Sequence, residues 1–423
     1  MKSIKFRNIF HLLLRFAAGI IIILLVWGCA VVPRLQEGSE SAYIRLPFAR
    51  VLIENDNPEI AIAGIGAFAV ECHRGEQSYV YHSSQPVTIR QENGTLAVYS
   101  KKTRIDGGFD EVLFSPHGTK GFLKYNAQRY RGMFRVIPHG VNLRLINIVH
   151  IDDYLKGVVP PEMGKVDKPE FESIKAQAVA ARTYSLKRLS QYPGEPYDLK
   201  SDVTDQLYYG TEVENPLISE AIDETRGLVI KWGDSLITAY YHSTCGGYTD
   251  DIEEVWDKPA TPYLKAVNDS GACSWSKYYH WKEGYTAEQL RMRIEQFLSA
   301  ERGRQVALAD IEDISVLSRT AGGRVAELVV KTADQEYRFG KDKIRWVFKR
   351  SSNGDLILQS ARFDVNITRN GLGKITQIDL LGSGYGHGVG MCQCGAIGMA
   401  RAGKKFDQIL ALYYKDTRLV KLY

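Results

Sequence analysis

The chain has 423 residues, 44% hydrophobic and 24% charged, which excludes wholesale disorder and leaves room for roughly two or three domains with buried cores. Its 54 Lys and Arg against 49 Asp and Glu give a formal charge of +5, too mild to argue for nucleic-acid binding. Only one long apolar run is present, so a polytopic membrane protein is excluded, and six cysteines are too few for a disulfide scaffold.

Lys2, Lys5, Arg7 and Arg15 open the chain without an acid, and an apolar stretch follows from Phe16 to Val32. A basic start before an apolar core is an export signal. Val26-Trp27-Gly28-Cys29 resembles a bacterial lipoprotein cleavage box, which predicts a signal over residues 1–28, a lipid on Cys29 and a linker over 29–41. The alternative is an uncleaved single-span anchor. Both place the bulk of the protein in the cell envelope, outside the cytoplasmic membrane and tethered to a lipid surface.

From residue 42 to 149 the sequence predicts a β-rich domain. Val51-Leu52-Ile53, Ile60-Ala61-Ile62, Val87-Thr88-Ile89 and Leu143-Arg144-Leu145 are short apolar or alternating runs punctuated by Gly, Asn and Asp. At Ile151 the character changes. Pro160 and Pro161 predict an extended segment just before Glu162, an acid flanked by apolar residues. Such surroundings raise a carboxyl's pKa and suit it to donate a proton near neutral pH.

Pro169 through Ser190 reads as a long alanine-rich helix carrying Gln177, Arg182 and Tyr184. Arg182 there also fits a structural ion pair. Asp202, Asp205, Gln206, Tyr208 and Tyr209 form a polar, aromatic loop suited to sugar hydroxyls and ring faces. Asn215-Pro216 starts a further helix that Gly227 ends. Leu228–Trp232 and Leu236–Tyr241 flank Gly233-Asp234-Ser235 as a hairpin, followed by His242-Ser243-Thr244-Cys245-Gly246-Gly247. Thr286-Ala287-Glu288-Gln289 is a capping box, and a β meander extends from Ile311 to about Leu381. A glycine-rich loop over residues 382–390 surrounds His387, and a short helix closes the chain at about Asp407–Lys415. Phosphate cradling is not expected of that loop, because no P-loop Lys-Ser/Thr follows it.

Five segments, in this order, resemble the SpoIID/LytB family, the stage II sporulation protein D and amidase-enhancer group. They are the acid after Val158-Val159-Pro160, the Ala176–Tyr184 helix, the Asp205-Gln206-x-Tyr208 loop, the His242–Gly247 turn and the Gly386–Ala396 loop. The resemblance spans about Ile151 to the C terminus. It implies an α+β fold, β-rich, with one long Ala-rich helix and several short helices. A SpoIID-like catalytic region over 150–423, with an α/β insertion at about 285–381, would follow the N-terminal β domain.

It also implies a peptidoglycan lytic transglycosylase that cleaves the bond between N-acetylmuramic acid and N-acetylglucosamine and leaves a 1,6-anhydro end. Glu162 takes the place of the proposed catalytic acid. One carboxyl suffices for anhydro-ring formation, whereas ordinary hydrolases need a second; Asp202 or Asp205 would be that second group. Gln177, Arg182, Gln206, Tyr208, Thr244, His387 and Gln393 are the candidate glycan-binding residues. The expected partners are peptidoglycan glycan strands, the membrane and, in the alternative reading of a non-catalytic amidase enhancer, a cell-wall amidase.

The Cys/His zinc site of some members is absent, because Leu199, Thr204 and Asp205 occupy those positions. Cys392 and Cys394 with His242, Cys245, Cys273 and His387 suit zinc by type, but their spacing is no known signature. A Cys245–Cys273 disulfide in an oxidising envelope, with no metal or cofactor, is the expectation.

Overall fold

The computed structural model describes residues 47–118, 121–202, 204–354 and 356–423. The signal over 1–28, the lipidated Cys29 and the linker over 29–41 lie outside the described residues. The protein is a β-rich α+β fold. Its seven-stranded sheet runs in the order Leu199–Lys200, Phe48–Asn57, Asn142–His150, Met133–His139, Glu111–Pro116, Phe68–Arg74 and Gln77–Ser83. All its neighbours are antiparallel except Leu199–Lys200 beside Phe48–Asn57. A six-stranded sheet is built from Gln128–Tyr130, Leu123–Tyr125, Glu59–Gly64, Val87–Glu92, Thr95–Ser100 and Thr103–Phe109.

Alternation along these strands points Val70, Cys72, Val112 and Phe114 from one sheet, and Ile60, Ile62, Ile89 and Leu96 from the other, into one core. That core does not stop at Ile151. It continues into Ile151, Tyr154, Leu155, Val158, Val159, Ile174, Ala178 and Ala181. The change in sequence character there marks the first helix, across which the packing is continuous.

That helix, Ile151–Met163, corrects the extended segment expected at the two prolines. Pro160 and Pro161 sit in its last turn, and burial of Val158, Val159 and Pro160 in the core outweighs the loss of their N–H groups. Gly157 lies against the Tyr208 ring and the Gly210 carbonyl, where a Cβ would not fit. Gly164 ends the helix with φ +65°.

A 3₁₀ turn, Lys168–Glu170, leads into the alanine-rich helix Phe171–Arg188. Ala176, Ala178, Ala180 and Ala181 are fully buried, and their small side chains let several elements approach this helix at once. Asn215 caps Pro216–Glu224, its Oδ1 accepting the Leu217 and Ile218 N–H groups. The hairpin forms but is shorter than expected: Leu228–Trp232 pairs with Ser235–Leu236 alone and takes Arg418–Lys421 on its other side. The chain then leaves this sheet, and Tyr241–His242 pairs in parallel with Met391–Cys392.

A separate apolar cluster spans Tyr285 to Leu380. It packs the helix Ala287–Arg302 against two three-stranded sheets, Ile311–Arg319 with Val325–Thr332 and Glu336–Gly340, and Trp281–Tyr285 with Ile375–Gly382 and Phe363–Arg369. The Thr286/Gln289 capping box is present. A short helix, Ile344–Phe348, interrupts the meander. Two helices, Gln393–Arg401 and Phe406–Tyr413, close the fold. Among the described residues no helix is long and apolar enough to cross a membrane.

Candidate active site

Glu162 stands in the last turn of the Ile151–Met163 helix and opens into a cleft of about 240 Å³. Tyr184, Asp205, Tyr240, Tyr241 and His387 line it as well. The Glu162 Oε2 accepts a hydrogen bond from the Gln393 amide at 3.2 Å. Burial pushes the carboxyl above its ordinary range, and the Gln393 bond offsets only part of that shift. A helix C-terminus is itself a poor place for negative charge, which works in the same direction.

The walls are aromatic. Tyr184 meets Tyr240 and Tyr241 edge-on, with ring centroids 6.0 and 6.4 Å apart. Tyr240 packs on Trp256 at 5.0 Å, and Trp256 packs on His387 at 4.8 Å. Faces of this kind, with hydroxyls at their rims, suit pyranose rings.

His387 is held by a loop in which alternate residues adopt positive φ: Gly384, Gly386, Gly388 and Gly390. A methyl on Gly388 would overlap the Arg324 guanidinium, and one on Gly390 the Tyr240 carbonyl. The Val389 N–H donates to His387 Nδ1 at 3.0 Å, so Nε2 carries the proton and donates to the Tyr241 carbonyl at 3.0 Å. Burial lowers the His387 pKa to about 4 and keeps the ring neutral.

The seven predicted glycan contacts divide. His387 and Gln393 join Glu162. Gln206 lies behind the cleft wall: its amide donates to the Tyr241 hydroxyl at 2.8 Å, and its carbonyl accepts from Ser185 at 2.6 Å. The other four are buried in the fold and do not line the cleft. Arg182, fully buried, binds Asp152 at 2.8 Å and the Ile222 and Leu228 carbonyls. Tyr208 donates to Asn147 at 2.9 Å, and Thr244 shares a 2.9 Å bond with Ser276. Gln177 is fully buried, and neither of its side-chain polar atoms has a protein partner. Close packing on the alanine helix is what removes Gln177 and Arg182 from solvent.

Of the two candidate second carboxylates, Asp202 does not line the cleft and accepts the Thr204 N–H at 2.8 Å, while Asp205 lines it with its oxygens occupied. The Asp205 oxygens accept from Arg188 at 2.9 Å, Gln191 at 2.7 Å, Tyr192 at 2.9 Å and the Lys200 N–H at 2.8 Å. Tyr240 and Tyr241 open the sequence segment that runs into the His242–Gly247 turn but carry no assigned role there, and no sequence signal marks Trp256.

The expected Cys245–Cys273 pair is brought together without an S–S bond. Both are free thiols, with sulfurs 3.5 Å apart, and Cys245 Sγ lies 3.1 Å from an Asp269 oxygen. The third sulfur, Cys392, accepts the Cys245 N–H, so the group is a cluster and not a pair. Cys72 is a core residue whose thiol burial pushes up to about 12.

Comparison with known proteins identifies relatives of the chain. The SpoIID family, described as stage II sporulation protein, matches residues 139–232. A domain of unknown function, DUF8618, matches residues 271–390. Stage II sporulation protein D of Bacillus subtilis is 30% identical over 291 residues, which cover 64% of this chain and 74% of that protein. The chain belongs to the SpoIID family. Another relative, an uncharacterized protein of Brachyspira hyodysenteriae, is 30% identical over 349 residues, 81% of this chain and 87% of its own. The amidase enhancer of Bacillus subtilis is 30% identical over 297 residues, 63% of this chain but only 40% of that longer protein. In this SpoIID-family chain the 139–232 match holds Glu162 and the alanine helix, the 271–390 match holds Cys273 and His387, and Cys392 and Gln393 lie beyond both.

Proposed function

We propose that this SpoIID-family protein is a peptidoglycan lytic transglycosylase of the cell envelope, with Glu162 as its single general acid and base. One observation carries the reading. Glu162 is a carboxyl with a raised pKa in an aromatic cleft, and the other carboxylate there, Asp205, has its oxygens committed to Arg188, Gln191, Tyr192 and Lys200. Glu162 protonates the glycosidic oxygen as the C1–O bond of the muramic residue breaks. The C6 hydroxyl of that residue bonds to C1 and returns its proton to Glu162. One proton is given and one recovered, no water is consumed, and the sugar ends as a 1,6-anhydro ring. Gln393 holds the carboxyl in place, and the tyrosine walls stack on the sugars. The basic start and the apolar run from Phe16 to Val32 support a reaction outside the cytoplasmic membrane, with Cys29 or the apolar run as the proposed tether.

The test is mass spectrometry of purified, peptide-free glycan strands incubated with wild type and Glu162→Gln. Wild type releases anhydro-muramic products and the variant, still folded, releases none. Equal product from both would remove Glu162 from the mechanism. Similarity to an amidase enhancer supports a second reading, a glycan-binding activator without turnover. That reading predicts no anhydro product from wild type and faster cleavage by a purified cell-wall amidase when the protein is added.

A further inference from the structure

We infer that Cys245, Asp269, Cys273 and Cys392 form a four-coordinate zinc site that fixes the start of the Gln393–Arg401 helix, and with it the amide that holds Glu162. One ligand atom from each of the four buried residues lies within 4.8 Å of the other three. A tetrahedral zinc with sulfur ligands at roughly 2.3 Å and an oxygen at roughly 2.1 Å sets its ligand atoms about 3.5–3.8 Å apart. The observed 3.5 Å between Cys245 and Cys273, and 3.1 Å from Cys245 to Asp269, are close to that spacing.

Three sulfurs converge, so any single disulfide among them strands a buried thiol beside a buried carboxylate. A metal ion uses all four groups. The surroundings are built for negative sulfur. The Cys245 and Gly395 N–H groups each point at Cys392 Sγ at 3.2 Å, and the Gly247 N–H points at Cys245 Sγ at 3.3 Å. Arg324 and Arg362 bind the Cys245 and Gly246 carbonyls and hold the backbone of this turn in place beside the cluster. The Tyr413 hydroxyl is buried without a protein partner, and it converges with Asp269 Oδ2 and Cys392 Sγ on Gly395, which has no room for a side chain.

The ligands come from the turn after Tyr241–His242, the loop Asp269–Cys273 and the residue that caps the Gln393 helix. His242 and His387 stay outside the set, with their Nδ1 and Nε2 atoms respectively facing the Val389 and Tyr241 carbonyls. The inference is independent of the proposed reaction, because it is read as metal content.

The full chain, produced in zinc-supplemented medium and purified without chelator, is expected to carry about one zinc per molecule by elemental mass spectrometry. Cys273→Ser and Asp269→Asn lose most of it, while Cys72→Ser and Cys394→Ser keep it. Wild type in which cobalt replaces zinc gives a thiolate-to-cobalt charge-transfer band and intense tetrahedral visible bands, a readout that needs no variant to fold. Wild type without bound metal and without cobalt bands overturns the site. So does a Cys245–Cys273 disulfide mapped by peptide mass spectrometry in protein isolated from the envelope.

Discussion

Glu162 is a carboxyl whose surroundings favour its protonated form, and this has a sign that can be measured. Its native pKa lies above the ordinary value of 4.5. Between those two values the folded chain holds a proton that the unfolded chain has lost. The stability that goes with this proton is complete below the ordinary value and is lost as pH rises through the native one. Glu162→Gln removes the loss. The variant is expected to melt above wild type at pH 7 and to match it at pH 4, by calorimetry at both. Because the proposed step needs the acid form, the rate falls as pH rises through the Glu162 pKa. The Gln393 bond lowers that pKa, so Gln393→Ala is expected to reduce the rate and move the alkaline limb of the pH profile upward. An unmoved limb would detach Gln393 from Glu162. Arg182 belongs to a different account. It closes a buried ion pair with Asp152, so Arg182→Ala is expected to cost roughly 3–5 kcal/mol in urea unfolding. Glycan affinity of the folded fraction should stay unchanged.

At the scale of elements, the loop through Gly384, Gly386, Gly388 and Gly390 is set by backbone that only glycine adopts easily. Gly388→Ala adds about 1–2 kcal/mol of conformational cost to overlap with a guanidinium that is itself buried in an ion pair with Asp250. Gly75→Ala, also at positive φ but facing open space, carries the conformational cost alone. Urea unfolding of the two variants separates the terms: Gly388→Ala is expected to lose clearly more. Asn215→Ala, which removes a cap, is expected to cost about 1 kcal/mol in the same assay.

Local signals of this kind were legible in the sequence. Asn215-Pro216, the Thr286/Gln289 box, the alanine helix and the strand alternation all fold as their residues dictate. Pro160 and Pro161 locally favour extended chain, and tertiary burial overrides that preference. The resemblance assigns Gln177 and Arg182 to the glycan, but both are buried in the fold, and Arg182 instead makes the structural ion pair that its place on a small-residue helix also suggests. The cysteine cluster is legible only in part: ligand type brings Cys245, Cys273 and Cys392 into one candidate set, but nothing in the sequence separates them from Cys394, His242 and His387 or adds Asp269, because the parallel pairing of Tyr241–His242 with Met391–Cys392 is what brings positions 245 and 392 together.

Across the whole molecule, packing divides the chain differently from composition. The two large sheets and the first helices share one core, so a fragment beginning at Ile151 would leave the buried faces of Ile151, Tyr154, Leu155 and Val158 uncovered. Such a fragment is expected to be insoluble or molten, with dye binding and proteolysis as the readout. Residues 281–382 instead enclose their own apolar cluster between a helix and two sheets. Excised, that segment is expected to give a cooperative thermal transition.

The saturation of Asp205 reaches beyond the cleft to the way activity has to be sought. With Asp205 committed to its four partners and Glu162 acting alone, each proposed cut seals its new end as a bicyclic sugar and liberates no reducing group. Colorimetric reducing-sugar assays would therefore register nothing while strands shorten. A screen built on them would pass over the enzyme, whereas loss of turbidity or chromatography of sealed ends would find it.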